Sequence, residues 1–316
     1  MPLHPHLLDH LRAANHAPSP ETLRRLGEAG TATGLSDVLA ADIEAYDATP
    51  EGKAWTEAAK GAGLERVTNL EIRERIEKSY ELTTKMAREY LDLDEIPTPE
   101  DMAASGVDHA WLADEYKRME VEGLQPRFIL APHGLGLGNT DSGHGWRRGF
   151  SKVRQDISIP NNPLKQQPDG DGLWVNDDAA VNWHVFDKAP EITTMPGAAT
   201  LPIYETTAPD GATVQWTLRL IPGAPQPQHL NVSYEEATAQ GVAHQAISEM
   251  LTDKLTAIMQ GEEPSDKDTW AWCDNGDPAG ARAPNGYWNR GYGRVSVRWG
   301  GVGNRLGDLG SRSPVG

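Results

Sequence analysis

Apolar positions change their period along this chain. Between residues 1 and about 123 they recur at helical spacing, most clearly from Asn69 to Leu93, where Ile72, Ile76, Tyr80, Thr83, Ala87 and Tyr90 follow one another three or four residues apart. That spacing places all six on one stripe of a helix. Glu74, Arg75, Glu77, Lys78 and Glu81 occupy the remaining face and offer i,i+4 partners such as Glu74 with Lys78. Ser19-Pro20-Glu21, Thr49-Pro50-Glu51 and Thr98-Pro99-Glu100 each combine a capping hydroxyl, a proline suited to the first helical turn and an early carboxylate. Each predicts a helix start.

After Gly123 the texture shifts to a short apolar run, Phe128-Ile129-Leu130, and then to glycine-rich turns over 132–146. Strands are expected at Leu173–Val175, Ala180–Phe186, Leu201–Tyr204 and Val214–Ile221; in the last, Val214, Trp216, Leu218 and Leu220 alternate with outward residues. Val232 to Met259 reads as a single helix, opened by a capping box of Ser233 and Glu236. In the tail, Val295, Val297 and Trp299 alternate with Arg294, Ser296 and Arg298, the period of a strand with one buried and one free face. Tyr287, Asn289, Tyr292, Asn304 and Arg305 surround it among many glycines. The pattern predicts an α+β protein, with an acidic helical region over 1–123 and a mixed domain over 124–316.

The formal charge of −17 argues against nucleic-acid binding, which needs a basic surface to displace counterions. The tail departs from that balance, with five arginines and only Asp308 as an acid from Ala283 onward. Cys273 is the single cysteine, so neither an internal disulfide nor a thiolate-rich zinc site is available; beside Trp272 it reads as a small buried apolar residue. No secretory or membrane-spanning pattern occurs, so no membrane partner is expected and the location is read as cytoplasmic or phage-associated.

His133 and His144 read as loop histidines, since no third ligand has a recognisable spacing. Asp169, Asp171 and Asp177 gather oxygen atoms, yet without the twelve-residue spacing and closing glutamate of an EF-hand they read as a solvated turn. The glycines fit neither a dinucleotide nor a phosphate loop. No metal, no cofactor and no catalytic constellation is expected.

From about 230 onward the chain resembles the C-type lectin fold: a helical stretch, Trp270-Ala271-Trp272-Cys273 at a strand, a glycine- and tryptophan-rich tract, and a closing Gly310-Ser311-Arg312. It is most similar to the branch shared by formylglycine-generating enzymes and the variable proteins of diversity-generating retroelements. The former use a cysteine pair to bind copper, and this chain has only Cys273. The resemblance to the variable proteins implies a C-type-lectin-like domain whose last stretch binds a protein or other macromolecular ligand. By position, Tyr287, Asn289, Tyr292, Ser296, Arg298, Gly300, Gly301, Asn304 and Arg305 would be the exchangeable binding residues, with Val295, Val297, Trp299 and Leu309 as scaffold. Two other readings stand beside it. One is a metal-dependent or formylglycine-generating-like enzyme; the other is a phage structural or receptor-binding subunit that oligomerises through its helical region.

Overall fold

A computed structural model describes residues 64, 67, 69–138, 145–166, 172–176, 186, 201–274 and 281–315. The expected helix starts at Ser19 and Thr49, His144, Asp169, Asp171, Asp177 and all but Phe186 of the Ala180–Phe186 strand lie outside the described residues.

Helix α1, Leu70–Tyr90, is opened by Asn69, whose Oδ1 accepts from Ile72 N at 3.0 Å. Five residues of its apolar stripe and Thr83 are buried. Its i,i+4 pairs are Glu71 with Arg75 and Arg73 with Glu77, both at 2.8 Å, rather than Glu74 with Lys78. Two short hydroxyl side chains on the buried face have a further task. Ser79 Oγ donates to Phe128 O at 2.9 Å and Thr83 Oγ1 to Leu130 O at 3.1 Å. Both carbonyls belong to strand β1, Arg127–His133, so the helix satisfies a strand edge that would otherwise present unpaired groups. Helix α2, Pro99–Ala104, starts at Thr98, and it is Asp101 that completes the capping box. Helix α3, His109–Val121, follows.

Strand β1 pairs antiparallel with β4, Thr213–Ile221, which pairs antiparallel with β3, Tyr204–Thr207. Between β1 and β3 lie helix α4, Trp146–Gln155, and the short strand β2, Leu173–Val175. Val214, Trp216, Leu218 and Leu220 are buried, as their alternation predicts. His133 ends β1 with no exposed surface, its Nε2 2.9 Å from Thr217 Oγ1. It is therefore a core residue and not the loop histidine expected. Burial, reinforced by the nearby Arg219 cation, pushes its imidazole down to about 3.

The single helix expected over Val232–Met259 is two helices. Helix α5, Tyr234–Ala239, has the predicted Ser233–Glu236 capping box but stops before Gly241, whose φ of +75° suits glycine and breaks the helix. The chain then runs extended until Ala246, and α6, Ile247–Met259, begins with Glu249 accepting from Ala246 N at 2.7 Å.

A second sheet has the order β2-β7-β6-β5-β8, built from β5 (Trp270–Trp272), β6 (Arg282–Asn289), β7 (Arg294–Gly301) and β8 (Leu309–Ser311), with β2 parallel to β7 and β8 parallel to β5. One face packs on α6. There Gly286 is required, because a Cβ at that position would lie 2.5 Å from Met250 Cε. Val295, Val297 and Trp299 join a core that also holds Ile76, Leu130, Trp216 and Leu255, so the hydrophobic interior runs through residue 123 without a break. Val315 bridges to Leu220 and ties the end of the chain to the first sheet. Among the described residues no helix is long and apolar enough to cross a membrane.

Candidate functional site

The other face of the five-stranded sheet is half covered. Trp270 and Trp272, two residues apart on β5, project to it. Over Trp272 sits α5: Tyr234 meets the Trp272 ring edge-on at 5.9 Å, and Trp272 Nε1 donates to Val232 O at 3.3 Å. Trp272, Tyr234, Ala283 and Leu309 form a small separate core. Tyr234 is in turn stacked on His244 at 4.2 Å, and burial lowers the His244 imidazole to about 3.

Beyond this covered half the register assembles a row of side chains. Trp174 pairs with Ser296, Ser296 with Tyr287, and the β5–β6 pairing brings Trp270 opposite Tyr287. The Trp270 and Tyr287 rings stack at 3.6 Å, with 27° between their planes. Onto this row fold two arginines of β7. The Arg298 guanidinium lies 4.7 Å from the Trp270 ring, 5.5 Å from Trp174 and 5.8 Å from Tyr287; Arg294 lies 5.2 Å from Trp174 and 4.7 Å from Tyr292. Such placement over the negative face of a ring attracts a cation and holds a flexible side chain flat.

The hairpin that ends β6 is shaped by its own polar groups. Asn289 Nδ2 donates to Tyr287 Oη at 2.6 Å, and Asn289 Oδ1 accepts from Tyr292 N at 3.2 Å, capping the turn Arg290–Tyr292. Gly293, with φ of +53°, then reverses the chain. The turn leaves Tyr292 59% exposed at the rim.

The five tail arginines divide by their partners. Arg290 binds Glu263 through Nε and Nη2 at 2.5 and 2.8 Å, Arg305 reaches Glu236 on α5, and Arg312 is fully buried against Asp253 and Asp266. Arg294 and Arg298 have no ion pair among the described residues and meet only aromatic rings. The basic balance of the tail thus reduces to two cations on one face.

The sequence-predicted binding residues separate in the same way. Tyr287, Asn289, Tyr292 and Arg298 come together in the row and its rim, while Asn304 and Arg305 are exposed in the loop after β7. Ser296 corrects its expected place on a free face: it does point to that side, but it is 1% exposed and its Oγ is without a hydrogen-bond partner. Gly300 is constrained as well, since a Cβ there would stand 3.0 Å from the Trp272 ring. At Gly301 the nearest atoms belong to the Asn304 side chain, at 3.3 Å or more. Sequence reasoning missed Trp174 and Trp270 as members of the surface, and it placed Arg294 on the free face without counting it among the binding residues. The alternation Trp270-Ala271-Trp272 is a visible signal for a tryptophan pair on one side, but only the pairing of β5 with β6 shows what Trp270 meets.

Cys273 is buried, and burial pushes its thiol well above the usual range. No group of three or more His, Cys, Asp or Glu side chains capable of holding a metal occurs among the described residues. The chain matches no protein-family model, no curated protein and no solved structure.

Proposed function

We propose that this chain is a recognition protein with a C-type-lectin-like domain, of the kind diversified by retroelements, which binds a macromolecular partner on the open half of its five-stranded sheet. One observation carries the reading: two guanidinium groups without carboxylate partners lie on a contiguous row of Trp174, Tyr287 and Trp270, with Tyr292 at the rim. Aromatic and arginine side chains dominate the energetics of protein interfaces, the aromatics because they offer large contact area at low entropic cost and arginine because its planar fork is pre-organised for hydrogen bonding. The frame beneath them is stiff. Val295, Val297 and Trp299 are fixed in the main core, and every strand that contributes a side chain is hydrogen-bonded into one sheet.

Exchange without loss of fold is favoured at Tyr292, Arg298, Gly301, Asn304 and Arg305, where side chains reach solvent or meet only movable neighbours. Ser296 and Gly300 belong with the frame. Sequencing the 3′ end of the gene and its flanks across closely related isolates tests this. Substitutions concentrated at the five exchangeable codons, beside a reverse transcriptase and an imperfect repeat of the tail, are the expected result. An invariant tail without a repeat would reject diversification.

A further inference from the structure

We infer that the open half of the sheet is built to take a carboxylate from an acidic segment of a protein partner, clamped between Arg294 and Arg298 above Ser296; this rests on the recognition reading above.

Three donors share one side of the strand. Residues 294, 296 and 298 project to the same side of β7, and both guanidinium groups approach the single Trp174 ring, at 5.2 and 5.5 Å. Two like charges held near one ring without a counter-ion repel each other, and each anion that enters between them removes part of that cost. Both guanidinium groups lie within about 6 Å of ring centroids, and Arg294 Nε is buried without a hydrogen-bond partner, so donor capacity is left unused beside the rings.

An independent sign is the Ser296 hydroxyl. It is buried under this cluster with no partner, and a buried hydroxyl left unpaired costs about 1–3 kcal/mol unless something supplies one. Tyr287 adds a donor, because its oxygen accepts from Asn289 while its own O–H stays available.

Charge selects the class of occupant. The chain carries −17 overall, so a polyanion such as nucleic acid or an anionic membrane meets repulsion over its whole length. A protein segment with one or two carboxylates does not, and its apolar neighbours can lie on Trp270 and Tyr287.

The experiment is panning of a random displayed peptide library on the full chain, with removal of clones that also bind an Arg294→Gln, Arg298→Gln chain. Circular dichroism and thermal melting confirm that this chain is folded. Recovered peptides should be enriched in Asp or Glu. A synthetic representative should weaken about 10- to 100-fold on Arg298→Gln alone, the range of a charge-assisted hydrogen bond. Its Glu→Gln version should weaken similarly, and Ser296→Ala should reduce affinity with both arginines intact. Arginine-dependent peptides with no acidic enrichment would overturn the carboxylate assignment and leave the recognition surface standing. If no clone distinguishes the two chains, both are overturned.

Discussion

Arg298 and Arg312 stand on neighbouring parts of one tail and live in opposite environments. Arg312 is buried beneath α6 with Asp253 at 3.1 Å and Asp266 at 3.4 Å; Lys254 binds Asp266 at 2.8 Å, and Arg127 binds Asp253 at 3.0 Å. Burial alone would raise the Asp253 carboxyl, but Arg312, Arg127 and Lys254 outweigh it and hold that carboxyl below its ordinary range. On α6 Glu249 also meets a cation, Arg219 at 3.2 Å, but there burial prevails and holds the carboxyl above its ordinary range. In that interior every charge has its counter-charge. On the open sheet face the cations have rings and, among the described residues, no counter-charge. The difference separates buried charges that are paired and fix helix against sheet from two cations that meet rings on the sheet face.

The comparison breaks most sharply if the two arginines are truncated. Arg312→Ala leaves Asp253 and Asp266 short of a cation in a dry interior, and chemical denaturation should show a loss of about 3–5 kcal/mol. Arg298→Ala, on an exposed side chain, should change stability by less than about 0.5 kcal/mol. Equal losses would remove the distinction.

Acid should separate the covered half of the sheet face from the open half. The folded-state imidazole of His244 titrates at about 3, below its unfolded value near 6.5. Between those values the unfolded chain binds the extra proton, so stability falls as pH falls. By pH 4.5 this group alone should cost up to about 2.5 kcal/mol, seen as a lower melting temperature than at pH 7. His133, lowered by burial to the same value, adds a like contribution, so His244→Gln should remove about half of the slope from these two groups; an unchanged slope would place the acid sensitivity elsewhere.

Glycines sharpen the contrast at smaller scale. A Cβ on Gly310 would stand 2.7 Å from the His229 carbonyl, whereas nothing lies within 4 Å of one at Gly303. Gly310→Ala should therefore cost about 1–3 kcal/mol and Gly303→Ala only tenths, by denaturant midpoint. The smallest stability effect belongs to Tyr292→Ala combined with Arg298→Ala: the melting temperature should hold within about 2 °C while partner binding disappears. Binding retained by that folded variant would remove the surface from recognition.

Much of the frame was legible locally. The stripe of α1 and the caps at Thr98 and Ser233 rest on contacts three or four residues apart, which a sequence displays directly. The break inside Val232–Met259 was signalled by Gly241, yet apolar residues on both sides continued a helical period and masked it. Ser296 was placed on its correct side by alternation, but its burial depends on bulky neighbours from β2, β5 and β6 that no local pattern reveals.

By itself, then, the sequence determined the α+β class, the inward residues of β4 and β7, and a tail whose hydrogen-bonding side chains stand among glycines. Those follow from period and backbone freedom, which are properties of adjacent residues. Tertiary structure decided which arginines would be neutralised, how Trp174 and Trp270 would come to flank Tyr287, and that the Ser296 hydroxyl would lie buried without a partner. Each of those depends on contacts between segments distant in sequence, the β2–β7 register above all, and such contacts are set by the packing of the sheet on α6 rather than by any segment within it.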